Sequence, residues 1–307
     1  MTSLHIPSEP MTCSAPCKVN LTLDVFAPRA DGFHDLDSVV VPFASPADEV
    51  KVTLRAGPRS VRLICKSPDL PKGAENLAHR AASVFLDAFL PEDALTVYVK
   101  LEKRLPIKAG LGGGSSDAAA VLRALDSLLP GRADRESLAR IAAGLGSDVP
   151  LFLFDGPVRM RGRGDIVEPL SEVLGPLWGV LVKPDAGVPT GPAYALLDAL
   201  PSRVPGQATA RLLDTLPSGP GDVEALGAAL GNDFEAAILP AYPAVADAFA
   251  AVADVGAVRT LLCGSGAALF GLAHNREHAK EMTRQLAGRF PWVKMAQPAI
   301  IGASRGG

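Results

Sequence analysis

The sequence predicts an α+β protein built from two domains. Its 307 residues exceed what one hydrophobic core usually serves. Strand patterns and helix patterns are mixed along the chain. The first set of patterns ends near residues 155–175, before a new strand pattern opens at Trp178. We therefore expect an N-terminal domain over residues 1–160 and a C-terminal domain over residues 161–307.

The elements of the first domain are predicted from two kinds of periodicity. In residues 95–101 apolar and polar side chains alternate, which is the period of a half-buried strand. Leu122, Leu125 and Leu129 recur at the spacing of one face of an amphipathic helix. The predicted strands span residues 50–54, 61–64, 95–101, 151–154 and 158–161, and the predicted helices span residues 75–90, 116–129 and 135–145.

The second domain is predicted to alternate strands and helices in the same way. A strand over residues 178–182 opens it. The stretch 201–221 is rich in Pro, Gly and Ser, which predicts a mobile loop. The remaining predicted elements are helices over 223–230 and 244–255 and strands over 258–262 and 267–272, the last two joined by a turn at Gly264, Ser265 and Gly266.

Composition excludes several classes of protein. The 30 Lys and Arg residues against 33 Asp and Glu give a net charge of −3, so the chain has no basic footprint for nucleic acid. Apolar runs are short and broken by Gly or Pro, and the first residues lack the basic region and apolar core of a signal peptide. The four cysteines form no C-x-x-C pair. We expect a cytoplasmic protein with reduced thiols that binds neither nucleic acid nor a membrane.

A glycine-rich segment connects the predicted strand 95–101 to the predicted helix 116–129. It comprises Pro106, Ile107, Lys108, Ala109, Gly110, Leu111, Gly112, Gly113, Gly114, Ser115 and Ser116. Its glycines leave the backbone free to approach a ligand, and Ser115, Ser116 and Asp117 are residues that cap helix starts. Because the N–H groups and dipole of a helix start favour an anion, the segment predicts a polyphosphate site. A tight turn without a ligand is the alternative.

Two common phosphate motifs are excluded. No Gly-Lys dipeptide occurs in the chain, so there is no Walker A loop. The glycines at 110, 112 and 114 fail the dinucleotide-binding fingerprint at its last position. The segment is therefore a third type of phosphate loop.

Two charged residues are candidates for the chemistry. Lys18 and Asn20 share one face of an extended segment, which places a cation near a phosphate or a reacting hydroxyl; a lysine at a sheet edge is the alternative. Asp148 lies between a predicted helix and Pro150, in a turn held by flanking glycines. Such an Asp usually accepts a local hydrogen bond, but it could also accept a substrate proton.

Aromatic residues form two further candidates. Phe33 and His34 lie in a loop that contains Gly32, where a core phenylalanine with an exposed histidine is the alternative. Thr190 and Tyr194 are four apart at an apparent helix start, where a plain cap is the alternative. The segment 274–278 matches the metal-hydrolase pattern H-x-x-E-H, but it is strongly polar and predicts the start of a surface helix.

Three segments in order along the chain resemble motifs of the GHMP kinase superfamily, which includes galactokinase, homoserine kinase and mevalonate kinase. They are 16–21, 106–116 and 263–267. Four more segments, 29–34, 146–150, 162–165 and 232–235, resemble the members that phosphorylate a cytidine-diphosphate-linked methylerythritol in the non-mevalonate isoprenoid pathway. The resemblance implies an N-terminal domain of ribosomal protein S5 type and a C-terminal domain of ferredoxin-like type.

The resemblance also implies the roles of the site residues. Lys18 and Asp148 match the catalytic pair of the superfamily, and the segment 106–116 matches its ATP phosphate loop. The positions that match contacts to the cytidine end of the substrate are Asn20, Phe33, His34, Thr190 and Tyr194. ATP with Mg²⁺ is the implied phosphate donor, the magnesium ligands are left unassigned, and no protein partner is implied.

Two other functions stay open at this point. One is a GHMP kinase acting on a simpler alcohol such as homoserine or mevalonate, which would have no use for an aromatic clamp of Phe33, His34 and Tyr194. The other is a nucleotide-binding module without catalysis. The presence of both Lys18 and Asp148 argues against that module.

Overall fold

The computed structural model describes residues 6–170, 174–201, 204–216 and 222–298. In chain order its strands are β1 (Met11–Asn20), β2 (Thr22–Pro28), β3 (His34–Ala56), β4 (Ser60–Cys65), β5 (Leu95–Glu102), β6 (Val158–Gly162), β7 (Ile166–Pro169), β8 (Trp178–Lys183), β9 (Gly231–Asn232), β10 (Arg259–Leu262), β11 (Leu269–Ala273) and β12 (Trp292–Pro298). Its helices are α1 (Leu77–Phe89), α2 (Gly113–Leu128), α3 (Arg135–Leu145), α4 (Thr190–Asp198), α5 (Gln207–Thr215), α6 (Val223–Ala229), α7 (Phe234–Ala241), α8 (Pro243–Asp254) and α9 (Arg276–Leu286).

The chain forms two compact units, each assembled from several stretches. One contains the described residues up to Pro16 with Ala47–Leu105 and Gly112–Leu153. The other contains Cys17–Pro46, Pro106–Leu111 and the described residues from Phe154 onward. These units are defined by compactness, and the division into family domains over 1–160 and 161–307 stays a prediction.

The first unit is a small sheet with three helices. The end of β3 pairs antiparallel with β5, which pairs parallel with β4. Along β5 the apolar side chains from Leu95 to Leu101 are buried at alternate positions, while Tyr98 and Lys100 are exposed. Helix α1 packs on β4 and on α2, and α2 packs on α3. Asn76 and Asp134 cap α1 and α3 by accepting hydrogen bonds from Ala78 N and Ser137 N.

The second unit contains a larger sheet. Its strand order is β10-β11-β8-β12-β3-β2-β9, with β6 paired to β3 and β7 paired to β6. The pairs are antiparallel except β2 with β9, which is parallel. Strand β8 is almost continuously apolar because buried side chains from helices α8 and α9 cover it. Helices α4, α7 and α8 enclose a second cluster that includes Leu197, Phe234 and Ile238.

Most predicted elements are confirmed, and two predictions are wrong. The apolar run 151–154 is part of a 3₁₀ helix, Pro150–Leu153, because a short apolar run does not distinguish strand from helix. Helix α2 is confirmed and begins at Gly113, within a few residues of the predicted start. The predicted loop 201–221 contains helix α5; residues 202–203 and 217–221 of that stretch lie outside the described part of the chain.

Helix α5 depends on a contact that is distant in sequence. Its N-cap residue is Gly206, which has no side chain to accept the first N–H groups. Asp24 of β2 supplies the missing acceptors, because its carboxylate oxygens accept hydrogen bonds from Ala208 N at 3.1 Å and Thr209 N at 2.8 Å. The sequence next to α5 therefore contains no capping residue from which the start of the helix could be predicted.

No single helix of the described residues is long and apolar enough to cross a membrane. Helices α7 and α8 have the length and apolar composition of a membrane span only when taken together, and the pair is bent by 114° at its junction.

Candidate active site

Lys18 is a buried cation whose ammonium group is held by its neighbour on the strand. The residue is 5% exposed, and its Nζ donates to Asn20 Oδ1 at 2.6 Å. The contact follows from the period of the strand, because residues two apart project from the same face. The Lys18 backbone N–H donates to Leu111 O at 3.0 Å. This bond joins β1 to the glycine-rich segment 106–116, called the glycine loop below.

Asn20 belongs to a buried chain of hydrogen bonds. Its Nδ2 donates to Ser38 Oγ at 2.9 Å, and Ser38 Oγ donates to Thr22 O at 2.5 Å. Thr22 Oγ1 lies 2.8 Å from Thr209 Oγ1. Because each member is tied to the next, the amide of Asn20 is fixed and it orients the ammonium group of Lys18. The predicted contact of Asn20 with substrate stays a prediction.

The glycine loop uses Gly110 and Gly112 for conformations that other residues rarely adopt. Their φ angles are +80° and +71°. A Cβ atom added to Gly110 would lie 1.9 Å from Cys263 O, so the backbone of a second segment fills the space beside this glycine. Only a residue without a side chain permits this approach.

That second segment is the glycine turn, Cys263–Ala267. Gly264 and Gly266 have φ angles of +56° and +102°, and Gly266 N donates to Cys263 O at 2.9 Å. A Cβ atom added to Gly264 would lie 3.5 Å from Lys18 Nζ. Burial raises the pKa of the Cys263 thiol to about 12, with Lys18 opposing the rise, so the thiol is neutral. The turn therefore contacts the loop and lies next to the ammonium group of Lys18.

Helix α2 starts without a side-chain cap. Gly112 is its N-cap residue and offers no side-chain acceptor, so the prediction that Ser115, Ser116 and Asp117 cap the helix is wrong. Because the helix begins earlier, these residues lie inside it. The first N–H groups of a helix have no intrahelical partner and favour an anion. The geometry is compatible with phosphate binding, and the role of the loop stays a prediction.

A buried ionic cluster behind the loop was missed from the sequence. Lys103 Nζ donates to Asp117 Oδ2 at 2.7 Å and also to Asp48 Oδ2. Burial raises the pKa of Asp117, and Asp48 adds to the rise while Lys103 opposes it. Burial acts to lower the pKa of Lys103, but the two carboxylates outweigh it and raise that pKa. Asp48 Oδ1 also accepts from Arg104 N and Leu105 N at 2.5 and 2.8 Å, so the cluster fixes the chain at both ends of the loop.

Asp148 lies in the turn that the sequence predicts. Helix α3 ends at Leu145, and Val149 N donates to Gly146 O at 3.0 Å across the turn. Asp148 is half-buried between the buried side chains of Leu145 and Val149. Its backbone is held by this turn, while its role as a base stays a prediction.

His34 and Tyr194 form a tilted ring pair, in which the His34 side chain is 7% exposed. Their ring centroids are 4.7 Å apart with an interplanar angle of 33°. His34 Nε2 lies 2.9 and 3.1 Å from the two carboxylate oxygens of Asp198, which orients the imidazole. Tyr194 in turn packs edge-on against Phe234, at 4.9 Å and 90°. Asp198 was missed from the sequence, although it lies four residues after Tyr194 on the same helix face.

The two remaining predicted contacts lie at the surface. The Phe33 residue is 51% exposed, and the Arg163 guanidinium lies 3.5 Å from its ring centroid. Thr190 is the first residue of α4 and is exposed, and Pro189 occupies the N-cap position. Arg163 belongs to the segment 162–165 noted in the sequence, but its contact with Phe33 was not predicted.

Comparisons with known proteins agree across the chain. The model of the GHMP kinases N terminal domain matches residues 76–156, and that of the GHMP kinases C terminal domain matches residues 210–291. A protein of Moorella thermoacetica named 4-diphosphocytidyl-2-C-methyl-D-erythritol kinase is 37% identical over 92% of this chain and 96% of its own length. A protein of the same name from Anaeromyxobacter sp. is 39% identical over 89% and 85%.

Solved structures show the same relationship. One is a crystal structure of 4-(cytidine 5'-diphospho)-2C-methyl-D-erythritol kinase, which is 36% identical to this chain. The match covers 93% of this chain and 98% of the other, with a TM-score of 0.77. Homoserine kinase from Cytophaga hutchinsonii, 20% identical over 96% and 98%, has a TM-score of 0.74 and shares the fold. The predicted α+β, two-domain kinase fold is confirmed. The chain therefore belongs to the GHMP kinase family, in the group that contains its relatives named 4-diphosphocytidyl-2-C-methyl-D-erythritol kinase.

Proposed function

We propose that this protein transfers the γ-phosphate of ATP to the 2-hydroxyl group of 4-diphosphocytidyl-2-C-methyl-D-erythritol, a step of the non-mevalonate isoprenoid pathway. The observation that carries the choice of substrate is the tilted ring pair of His34 and Tyr194. A cytosine ring has flat faces and a hydrogen-bonding edge, which suit a site that contains an aromatic ring and an imidazole. Homoserine and mevalonate have no ring to place there.

The predicted roles follow from the chemistry of the acceptor. A tertiary alcohol is a poor acid and a poor nucleophile, so its reaction needs a base and a nearby cation. Asp148 takes the proton of the hydroxyl group. Lys18, oriented by Asn20, lowers the effective pKa of the alcohol. The backbone N–H groups of the glycine loop and of the start of α2 hold the phosphates.

Magnesium would be held chiefly by the phosphates of ATP. In kinase sites Mg²⁺ keeps several waters and takes few protein oxygens. Within the described part of the chain, Ser116 Oγ and Asp117 Oδ1 are buried oxygens without a hydrogen-bond partner, and the hydroxyl of Ser115 is half-buried. Hydroxyl and carboxylate oxygens of this kind are ligands that Mg²⁺ accepts. Ser115 is the residue accessible enough to reach the ion directly or through water. When bound, the ion neutralises charge on the transferred phosphoryl oxygens.

The test is ADP release in the presence of ATP and one of three acceptors. We expect turnover with the cytidine-diphosphate methylerythritol and none above background with homoserine or mevalonate. Preferred turnover of either simple alcohol would contradict the proposal and assign the protein to another GHMP kinase activity. Because the proposed substrate and product are small and water-soluble, the proposal includes a cytoplasmic location.

A further inference from the structure

One side-chain amide, that of Asn232, joins separate backbone segments of the second unit. Asn232 lies on β9 and is 7% exposed. Its Nδ2 donates to Leu262 O at 2.7 Å and to Gly264 O at 2.8 Å. Its Oδ1 accepts from Phe234 N at 3.0 Å at the start of α7. Both hydrogens of the amide are therefore used on the end of β10 and on the glycine turn.

Glu235 secures the same strand end from the next helix. Its Oε1 accepts from Leu262 N at 3.0 Å, and its Oε2 accepts from Arg259 Nη2 at 3.0 Å. Leu262 is thus held at its carbonyl by Asn232 and at its N–H by Glu235. Cys263 and Gly264 follow directly, so the position of the glycine turn depends on these two side chains.

The glycine turn lies against the glycine loop and Lys18, which are proposed to act on ATP. Cys263 O fills the space beside Gly110, and Ala268 N donates to Ala109 O at 3.1 Å. A Cβ atom added to Gly264 would lie 3.4 Å from Gly110 O and 3.5 Å from Lys18 Nζ, so the turn passes next to both groups. Because Cys263 O leaves no room beside Gly110, a displaced turn would move the backbone of the phosphate loop and change the surroundings of Lys18.

We propose that Asn232 is a positioning residue for phosphoryl transfer. Its amide fixes the glycine turn, and the turn fixes the backbone of Ala109 and Gly110 and the surroundings of Lys18. Asn232 acts through these groups and does not touch the substrate. The proposal rests on the proposed function, since it assumes that the loop binds ATP.

The substitution Asn232→Asp tests this directly. The side chain keeps its size and its acceptor for Phe234 N, but it can no longer donate to two carbonyls and would place a charge against them. Since a misplacement of about 1 Å can cost roughly a hundredfold in rate, we expect kcat/KM for ATP to fall by roughly 10- to 100-fold. ATP affinity measured by calorimetry without acceptor should fall, while KM for the cytidine substrate should change much less.

Two control variants separate positioning from stability. Asn275→Asp makes the same chemical change at the N-cap of α9, where aspartate accepts the His278 N–H equally well, so no kinetic change is expected. Leu286→Ala removes a buried side chain of the second unit at a distance in sequence from the turn and lowers stability without changing these hydrogen bonds. If Asn232→Asp does not fold, Asn232→Ser decides, because it removes the amide without placing a charge against the carbonyls; its ATP affinity should fall below that of Asn275→Asp.

Equal ATP affinity in the Asn232 variants and in Asn275→Asp would overturn the proposal. A loss of activity that Leu286→Ala reproduces at matched stability would overturn it as well. Wild-type protein that binds ATP but does not phosphorylate the cytidine substrate would instead contradict the proposed acceptor. The comparison of ATP affinities would still test Asn232 in that case.

Discussion

Replacing Gly110 with alanine should damage both stability and ATP binding, because the position has no room for a single methyl group. The added Cβ would lie 1.9 Å from Cys263 O, 2.8 Å from Cys263 C and 3.2 Å from Gly266 O. Backbone atoms form this obstacle, so no rotamer change relieves it. The loop and the glycine turn would have to separate by about 1.5–2 Å to restore ordinary contact distances.

The expected cost combines three effects. An alanine at a φ of +80° costs about 1–2 kcal/mol for the left-handed conformation. Overpacking against backbone costs about 1–3 kcal/mol, and loss of the Ala268 N to Ala109 O hydrogen bond costs about 1 kcal/mol. The free energy of unfolding should therefore fall by about 3–6 kcal/mol, which is a large part of the about 5–15 kcal/mol typical of a folded protein.

Urea unfolding and calorimetric titration with ATP measure the two effects. Gly114→Ala is the matched control, because an added Cβ there meets only Leu77 Cδ1, at 3.8 Å, and the residue lies in helix α2. Alanine at that position should leave the stability unchanged or raise it by up to about 1 kcal/mol. Gly113→Ala should also leave the stability unchanged, since the nearest atoms to an added Cβ lie at 3.4–3.5 Å. A Gly110→Ala protein with the stability of Gly114→Ala and the ATP affinity of the wild type would refute the reasoning.

Three further predictions concern the base, the ring pair and pH. Asp148→Asn should lower turnover by roughly 10²–10⁴-fold in steady-state assays with little change in ATP affinity, and near-normal turnover would contradict its role as base. His34→Ala should narrow the preference for the cytidine substrate over its uridine analogue, and Asp198→Asn should narrow it less; an unchanged preference in both would assign base recognition to other groups. Burial raises the pKa of Glu235 from 4.5 to about 7, while the Leu262 N–H and Arg259 oppose the rise. The folded protein therefore favours the neutral side chain, and its contribution to the free energy of unfolding is lost as pH rises through about 7. Compared with Glu235→Gln, the wild type should lose about 3 kcal/mol of unfolding free energy between pH 4.5 and 8, and a difference independent of pH would contradict this.

The sequence by itself determined the local elements, the phosphate-loop segment and the family. Alternation in residues 95–101 and helical spacing after Ser116 depend only on neighbouring residues, so they could be read without the fold. The family predicted from the motif segments 16–21, 106–116 and 263–267 was confirmed by the matches to the two family models. The turn around Asp148 was also local, since flanking glycines and Pro150 determine it.

Only the tertiary structure decided which distant groups meet. Asp24 caps helix α5 across more than 180 residues, and the ring of His34 packs against that of Tyr194 in α4. The neighbour of Gly110 proved to be the carbonyl group of Cys263, and Asn232 proved to hold that segment in place. Local periodicity reports which face of an element is buried, but it contains no information on the partner that covers it. Such partners are selected by the packing of the whole chain, because each buried polar group is stable only where the fold brings a complementary donor or acceptor to it.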